Sequence, residues 1–173
     1  SSLDAEYHGN YADYANLMEI SEKDVKKQIE EDFNESIRQQ FASSDNITEE
    51  EIVAYTEKMA EVKKLAKYKV QDEKKDEDGN YTVSVKVEPS DVFQTLQQSS
   101  AEVSKEKIVQ GMKETDPGVF ASVLTESVQK SIDKNSYGDS VTVTVKVEKN
   151  HSGTYELSET ERSKLGTAMF PTE

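Results

Sequence analysis

The chain has 173 residues, with 21 Lys and Arg against 35 Asp and Glu, so its formal net charge is −14. Nucleic-acid phosphates and anionic lipid headgroups repel such an acidic protein, which excludes both as partners recognised through charge. The chain contains no cysteine, which excludes disulfides, thiol nucleophiles and thiolate metal sites. Its content of Leu, Ile, Val and Phe is near the lower limit for a charged folded chain, so the residue pattern must decide whether it folds.

Three helices are predicted in the first third of the chain. The first carries an apolar stripe that Gly9 weakens, formed by Leu3, Tyr7, Tyr11, Tyr14 and Met18. Ser21, followed by Asp24, is a typical N-cap. It precedes a second stripe, formed by Val25, Ile29, Phe33, Ile37 and Phe41. Thr48 and Glu51 form a capping box for the third helix. Its stripe consists of Ile52, Tyr55, Met59, Val62 and Ala66.

The apolar spacing then changes from a helical period to alternation, which indicates strands. Residues 68–72 and 81–88 alternate on either side of Asp78-Gly79, a tight-turn signal, so a β-hairpin is predicted here. Helix restarts at Ser90 or Asp91, and the polar stretch 97–100 can divide that helix in two.

The last third repeats this change of period. Asp116-Pro117 is a helix start signal, and the predicted stripe is Phe120, Leu124, Val128 and Ile132. Residues 141–148 alternate as a strand, and residues 154–157 return as its partner. Ser158 and Glu161 then form a capping box for a short final helix.

Two strand segments echo each other. Residues 81–88 read YTVSVKVE and residues 141–148 read VTVTVKVE. Either β-propensity makes both strands converge on Val and Thr, or a helix–hairpin unit is duplicated, at about residues 47–90 and 117–157. Both explanations place the valines on one face of a single antiparallel sheet, with the Thr, Lys and Glu side chains in water. The sequence therefore predicts one α+β domain over residues 1–173. It contains a four-stranded antiparallel sheet from two hairpins, with five or six helices packed mainly on one face.

The first half of the chain resembles a family of uncharacterised cell-surface lipoproteins of Gram-positive (Firmicute) bacteria, a domain of unknown function. The resemblance spans residues 3–90. It rests on Leu3-Asp4-Ala5, Tyr7, Gly9-Asn10, Tyr14, Ile20-Ser21-Glu22, Phe33, Tyr68-Lys69-Val70, Asp78-Gly79, Tyr81 to Val87 and Pro89. The resemblance implies an exported protein, tethered to the cell membrane through a lipidated cysteine upstream of Ser1. It transfers no functional residues.

Candidate chemistry is sparse. The two histidines, His8 and His151, have no cysteine beside them, whereas a transition-metal site needs three or four ligands. His151 adjoins Ser152 in a predicted turn, but no nucleophile elbow surrounds that serine. Residues 76–80 look like a calcium loop, yet Lys74 and Val85 stand where an EF-hand needs its first and last carboxylates. We therefore assign no catalytic, cofactor-binding or metal-binding residue and expect no cofactor.

Two other groups of residues invite a functional reading. The acidic runs 30–32 and 49–51 are expected on solvated helix surfaces, where they suit the first turns of helices. Tyr7, Tyr11 and Tyr14 share one stripe and can form a recognition surface. The alternative, which we favour, is packing with the hydroxyls at the edge of the core.

The sequence favours a non-enzymatic, extracellular soluble domain of a membrane-anchored surface lipoprotein, acting as a binding or interaction module. Its partner is an unknown protein or small-molecule ligand. Nucleic acid is excluded, and membrane contact is expected only through the upstream lipid anchor. The alternative is a small-molecule carrier with an apolar pocket between sheet and helices. Such a pocket would be lined by Val83, Val85, Val143 and Val145.

Overall fold

The computed structural model describes residues 2–151 and 153–173 and confirms an α+β fold with a four-stranded antiparallel sheet. The described residues form seven helices and four strands. In chain order they are α1 (Ser2–His8), α2 (Ala12–Met18), α3 (Glu22–Gln40), α4 (Glu49–Lys63), β1 (Lys67–Lys75), β2 (Tyr81–Glu88), α5 (Leu96–Val109), α6 (Val119–Asp133), β3 (Val141–Lys149), β4 (Tyr155–Leu157) and α7 (Glu159–Met169).

The chain divides into two compact units. Ser1–Lys64 and Thr95–Lys134 form the helical unit, which contains α1 to α6. Leu65–Gln94 and Asn135–Glu173 form the sheet unit, which contains the four strands and α7. The single domain predicted over residues 1–173 stays a prediction.

The N-terminal helices follow the local signals in the sequence. Ser21 caps α3 by accepting a hydrogen bond from the backbone N–H of Asp24, as predicted. Thr48 and Glu51 form the predicted reciprocal capping box at the start of α4. The first predicted helix is instead two helices, because Gly9 adopts a left-handed φ of 69° between them. This break explains why seven helices form where five or six were expected.

The two predictions for α5 were wrong. The helix begins at Leu96 rather than at Ser90 or Asp91, and it continues through residues 97–100 without a break. The polar stretch is helical because Ser99 is fully buried and its Oγ accepts a hydrogen bond from the equally buried Ser131 Oγ of α6, at 2.9 Å. Two small partnered hydroxyls allow the two helices to pack closely without an unsatisfied polar group.

The start of α6 also differs from the prediction. Its N-cap is Gly118, so the helix begins two residues after Pro117. The buried residues of α6 are Val119, Ala121, Ser127, Val128 and Ser131. Phe120, predicted as the first member of the core stripe, is 45% exposed instead.

The sheet has the order β1-β2-β3-β4, with every neighbouring pair antiparallel. Val85, Val87 and Val145 are at most 2% exposed, so the predicted inward valine face is confirmed at the centre of the sheet, whereas Val141 at the start of β3 is 43% exposed. Leu165 and Met169 of α7 are also buried, and α7 contacts β2 and β3. This helix therefore supplies apolar side chains to the core of the sheet unit.

The two echoed strands are direct neighbours. They pair so that Ser84 lies opposite Thr144, its counterpart in the echo. However, β2 is the second strand of its hairpin and β3 is the first strand of the other. In a direct repeat of a helix–hairpin unit the echoed strands would hold equivalent places. This arrangement favours convergence on β-forming residues over duplication.

Within the sheet unit, hydrogen bonds join the segments at which the chain enters and leaves. The carboxylate of Asp91 accepts hydrogen bonds from the backbone N–H of Ser136, at 2.8 Å, and from its hydroxyl. The hydroxyl of Tyr137 donates to the carbonyl oxygen of Leu65, at 2.8 Å. Ser90 and Asp91, the predicted helix start, are thus engaged in tertiary contacts that no local pattern specifies.

Among the described residues, none of the helices has the length and apolar composition needed to cross a bilayer.

Candidate functional site

The helical unit contains an open groove of about 1060 Å³. Its walls come from the loop before α4, the first turn of α4, one side of α5 and the start of α6. We name it the acidic groove. It is lined by Asp45, Asn46, Ile47, Thr48, Glu51, Ser100, Ser104, residues 114–118, Val119, Phe120, Val123 and Leu124.

Four carboxylates line the acidic groove, and the part of its lining that the structure describes includes no lysine or arginine. Glu51 is held in place because its Oε2 accepts the backbone N–H of Thr48, at 2.8 Å. Asp116 is held similarly, because its Oδ2 accepts the backbone N–H of Lys113, at 2.8 Å. Asp45 and Glu114 complete the set. The groove therefore presents four carboxylates, and cap hydrogen bonds hold two of them, Glu51 and Asp116, in place.

Gly118 allows the start of α6 to approach Glu51. Its φ is +79°, and a Cβ at this position would lie 3.2 Å from the Glu51 Oε1 atom. Any other residue would be strained in this conformation and would crowd the carboxylate. The shape of the groove thus depends on one glycine placed directly after Asp116-Pro117.

The apolar part of the groove is centred on α6. Val119, Val123 and Leu124 form its wall, and Phe120 extends outward. A small depression adjoins it, sharing Val119 and Val123 and adding the exposed side chains of Ile108 and Met112, with Lys107 and Lys113 beside them. Exposed apolar side chains next to a polar rim are typical of interaction surfaces.

Hydrogen bonds between α5 and α6 lower the pKa of two glutamates, Glu102 and Glu126. Glu102 accepts hydrogen bonds from Lys134 at 2.9 Å and from Gln98, and it pairs with Lys130 at 3.1 Å. The lysine hydrogen bonds, then that of Gln98, lower the pKa of Glu102 to about 2. Lys107 and the Ser122 hydroxyl lower the pKa of Glu126 in the same way. General acid catalysis needs a carboxyl with a raised pKa, so neither glutamate is suited to it.

One lysine is enclosed by aromatic rings. The Nζ atom of Lys63 lies 4.5 Å from the centroid of the Phe33 ring and 5.7 Å from that of Tyr7. Burial lowers the pKa of this lysine, and the nearby charge of Glu6 opposes that shift. These contacts join α1, α3 and α4 through cation–π interactions, which accounts for Lys63 as a packing residue.

The lining of the acidic groove includes neither described histidine and no residue of the loop 76–80. His8 lies 4.0 Å from Asp4 on the same helix, and His151 is exposed in the turn before β4. Ser152 lies outside the described residues.

Asp76 accepts the backbone N–H of Asn80 at 2.8 Å, so the acidic loop is a hairpin turn, as its sequence indicates. No cluster of three or more His, Asp and Glu side chains able to hold a metal ion occurs within residues 2–151 and 153–173.

The acidic runs lie on helices α3 and α4, as predicted. The acidic run 30–32 lies on α3, where Glu30 pairs with Lys26 at 3.8 Å and Glu31 pairs with Lys27 at 3.7 Å. The run 49–51 forms the first turn of α4, and its last member reaches the acidic groove. The three tyrosines of the first stripe are half-buried.

No sequence pattern predicts the acidic groove, because its walls are far apart in the chain. One signal was present: Phe120 lies two positions after Gly118, in the first turn of α6.

The valines named for a carrier pocket belong to the sheet unit. Val85 and Val145 are fully buried in its core, and Val83 and Val143 are half-buried. The acidic groove is lined by none of the four.

Comparisons with known proteins support the fold. The sequence matches no protein-family model, and a search of curated proteins finds no match. The structure is similar to the crystal structure of a predicted lipoprotein, ycdA, of Bacillus subtilis subsp. subtilis strain 168, with a TM-score of 0.67 and 15% sequence identity. The likeness covers 98% of this chain and 53% of the other, so this chain spans about half the length of that protein. At this identity, the two proteins are shown to share a fold.

Proposed function

We propose that this chain is the non-enzymatic, extracellular part of a surface lipoprotein, and that it acts as a binding module through the acidic groove. The observation that carries the proposal is the groove itself, an open concave surface with fixed carboxylates beside the exposed Phe120. Such a surface is suited to recognition, because binding sites combine apolar area with a few placed polar groups.

Export and anchoring rest on two further supports. One is the shared fold with the predicted lipoprotein of Bacillus subtilis. The other is the resemblance of residues 3–90 to Gram-positive surface lipoproteins. Together they favour membership of a lipoprotein family and attachment through a lipid upstream of Ser1.

Site-specific photocrosslinking tests the binding role. A photoreactive amino acid replaces Phe120 in the natural full-length protein, produced in its own cells. The control carries it at Val53 of α4, which is 46% exposed and does not line the groove. We expect a crosslinked product of higher mass only from position 120. Products from both positions, or from neither, would contradict the proposal.

Labelled fatty acid and surface proteolysis test the anchoring separately. The full-length protein should incorporate the lipid label and be cleaved by protease added to intact cells. An unlabelled, protected protein would show that the compartment is wrong, independently of the groove.

A further inference from the structure

We infer that the acidic groove binds a basic, apolar peptide segment of a partner protein. This inference rests on the proposed function and names the chemistry of its ligand.

The charge of the groove selects for a cationic ligand. Asp45, Glu51, Glu114 and Asp116 line it, and the helical unit as a whole has 22 acidic and 12 basic residues, a net charge of −10. A field of this sign concentrates cations near the site and repels anions. A second copy of this chain also has a charge of −14, so it is a poor occupant. The occupant is therefore a positively charged molecule of another kind.

The exposed apolar residues require that the ligand is also apolar in part. Phe120 lies in the groove itself, and Ile108 and Met112 are exposed in the adjoining depression. Aromatic side chains of this kind are the usual anchors of protein interfaces, and methionine adapts to different partners. A polyamine or a metal cation would leave these side chains uncovered. A ligand that carries both lysine or arginine and large apolar side chains satisfies both parts of the surface.

The dimensions favour a peptide over a small molecule. Clefts and cavities that bind small ligands usually have about 300–1,000 Å³ and bury most of the ligand. This groove has about 1060 Å³, is open to solvent, and continues into the depression beside Ile108. A chain segment can follow both parts, with its basic side chains beside the carboxylates and its apolar side chains on α6.

Two of the carboxylates need no ordering when a ligand binds. The cap hydrogen bonds of Glu51 and Asp116 already fix those side chains in the free protein. Preorganised groups lose less conformational entropy on association. We therefore expect Glu51 and Asp116 to orient the ligand's cations.

Selection from a displayed library of random short peptides tests the inference. The immobilised probe is the full 173-residue chain. Selected peptides are then synthesised, and their affinity is measured by fluorescence anisotropy at low and high salt. Two groove variants, Phe120→Ser and Glu114→Lys, are compared with two matched controls. Val53→Ser removes an equally exposed apolar side chain from α4, and Glu57→Lys makes the same charge change on the exposed surface of α4. Thermal melts by circular dichroism verify that all four variants fold.

We expect the selected peptides to be enriched in lysine or arginine next to aromatic or aliphatic residues. Each groove variant should weaken their binding by about tenfold, the effect of losing one hot-spot contact. The controls should bind as the wild type does. No enrichment, enrichment of neutral or acidic peptides, or equal losses in groove and control variants would overturn the inference.

The two proposals fail in different ways. A crosslink confined to position 120 without basic peptides in the selection would leave the binding module intact and show that the ligand class is wrong. Groove-dependent peptide binding without any crosslink in cells would contradict the proposed function and leave the chemistry of the groove standing.

Discussion

The carboxylate of Glu161 accepts a hydrogen bond from the backbone N–H of Lys146, at 3.0 Å. The sequence predicts a capping box between Ser158 and Glu161, and only its first half forms, with Ser158 accepting the N–H of Glu161. The side chain of Glu161 instead contacts the backbone of β3 at Lys146. The neighbouring strand β4 pairs with β3 only over Val147 to Lys149. Lys164 of the same helix donates to the carbonyl oxygen of Thr144. Side chains of α7 thus occupy hydrogen-bonding positions that a neighbouring strand would otherwise fill.

Glu161→Ala should expose this part of the β3 edge. We expect the free energy of unfolding to fall by about 1 kcal/mol, the typical net value of one hydrogen bond. Self-association should also rise, because unpaired strand edges recruit other strands. Urea unfolding and light scattering measure the two effects. Glu159→Ala removes another acid from the first turn of α7 and controls for the helix dipole. Equal losses in the two variants would show that the contact with Lys146 contributes nothing.

The two faces of the sheet should respond differently to aspartate. Val85→Asp and Val145→Asp would each bury an unpaired charge and should cost several kcal/mol. Thr144→Asp lies on the exposed face and should cost less than about 1 kcal/mol. Ser84→Asp should cost more than Thr144→Asp, because Ser84 lies opposite Asp72 in β1 and like charges in cross-strand pairs repel. Urea unfolding of the four variants measures this order. A loss at Thr144 as large as that at Val85 would mean that both faces are covered.

Alanine variants of two glycines distinguish the stability cost of backbone strain from the cost of crowding in the acidic groove. Gly118 and Gly111 both have left-handed φ angles, of +79° and +84°. A Cβ at Gly111 meets nothing within 4 Å, whereas one at Gly118 lies 3.2 Å from Glu51. Each alanine variant should lose about 1 kcal/mol from strain. Gly118→Ala should lose more than Gly111→Ala, since it also displaces a carboxylate held by its cap. Thermal unfolding compares them, and a smaller loss at Gly118 would contradict the packing described for the groove.

The ion pairs between α5 and α6 predict a loss of stability in acid. Hydrogen bonds from lysines lower the pKa of Glu102 to about 2, below the 4.5 of an unperturbed glutamate. A lowered pKa means that the unfolded chain binds the proton first, so this contribution is complete above about pH 4.5 and is lost as the pH falls toward 2. In Glu102→Gln, the fall of the urea midpoint across this range should be shallower than in the wild type. Glu57→Gln serves as the control. A wild-type slope in Glu102→Gln would show that the glutamate is not responsible.

Local signals in the sequence were sufficient for much of the fold. Ser21, Thr48 and Ser158 each cap a helix with the residue three positions on, and Asp78-Gly79 forms its turn, because these contacts lie within a few residues. The alternation of valines likewise determines the buried face of the sheet.

What the sequence did not indicate depends on tertiary contacts. The start of α5 moved because Asp91 binds Ser136, which lies 45 residues away. The tertiary packing of α6 buries Val119 and Ala121 and leaves Phe120 45% exposed, although the spacing of Phe120 from Val128 fits one apolar stripe. The acidic groove combines a loop before α4 with α5 and the start of α6. No single segment carries a pattern for it, so its position could not be predicted from periodicity.

The pairing of β2 with β3 constrains the order in which the protein folds. Val87 pairs with Val141, and the whole of α5 and α6 lies between them in the chain. The β1–β2 hairpin can form as soon as it is synthesised, but the central pair of the sheet must wait for both helices. Closing so long a loop costs entropy before any contact repays it, which slows folding. If α5 and α6 form their hairpin first, the ends of the loop come closer and this cost falls. Formation of the α5–α6 hairpin would then determine the folding rate of the sheet, although neither helix contributes a strand to the sheet.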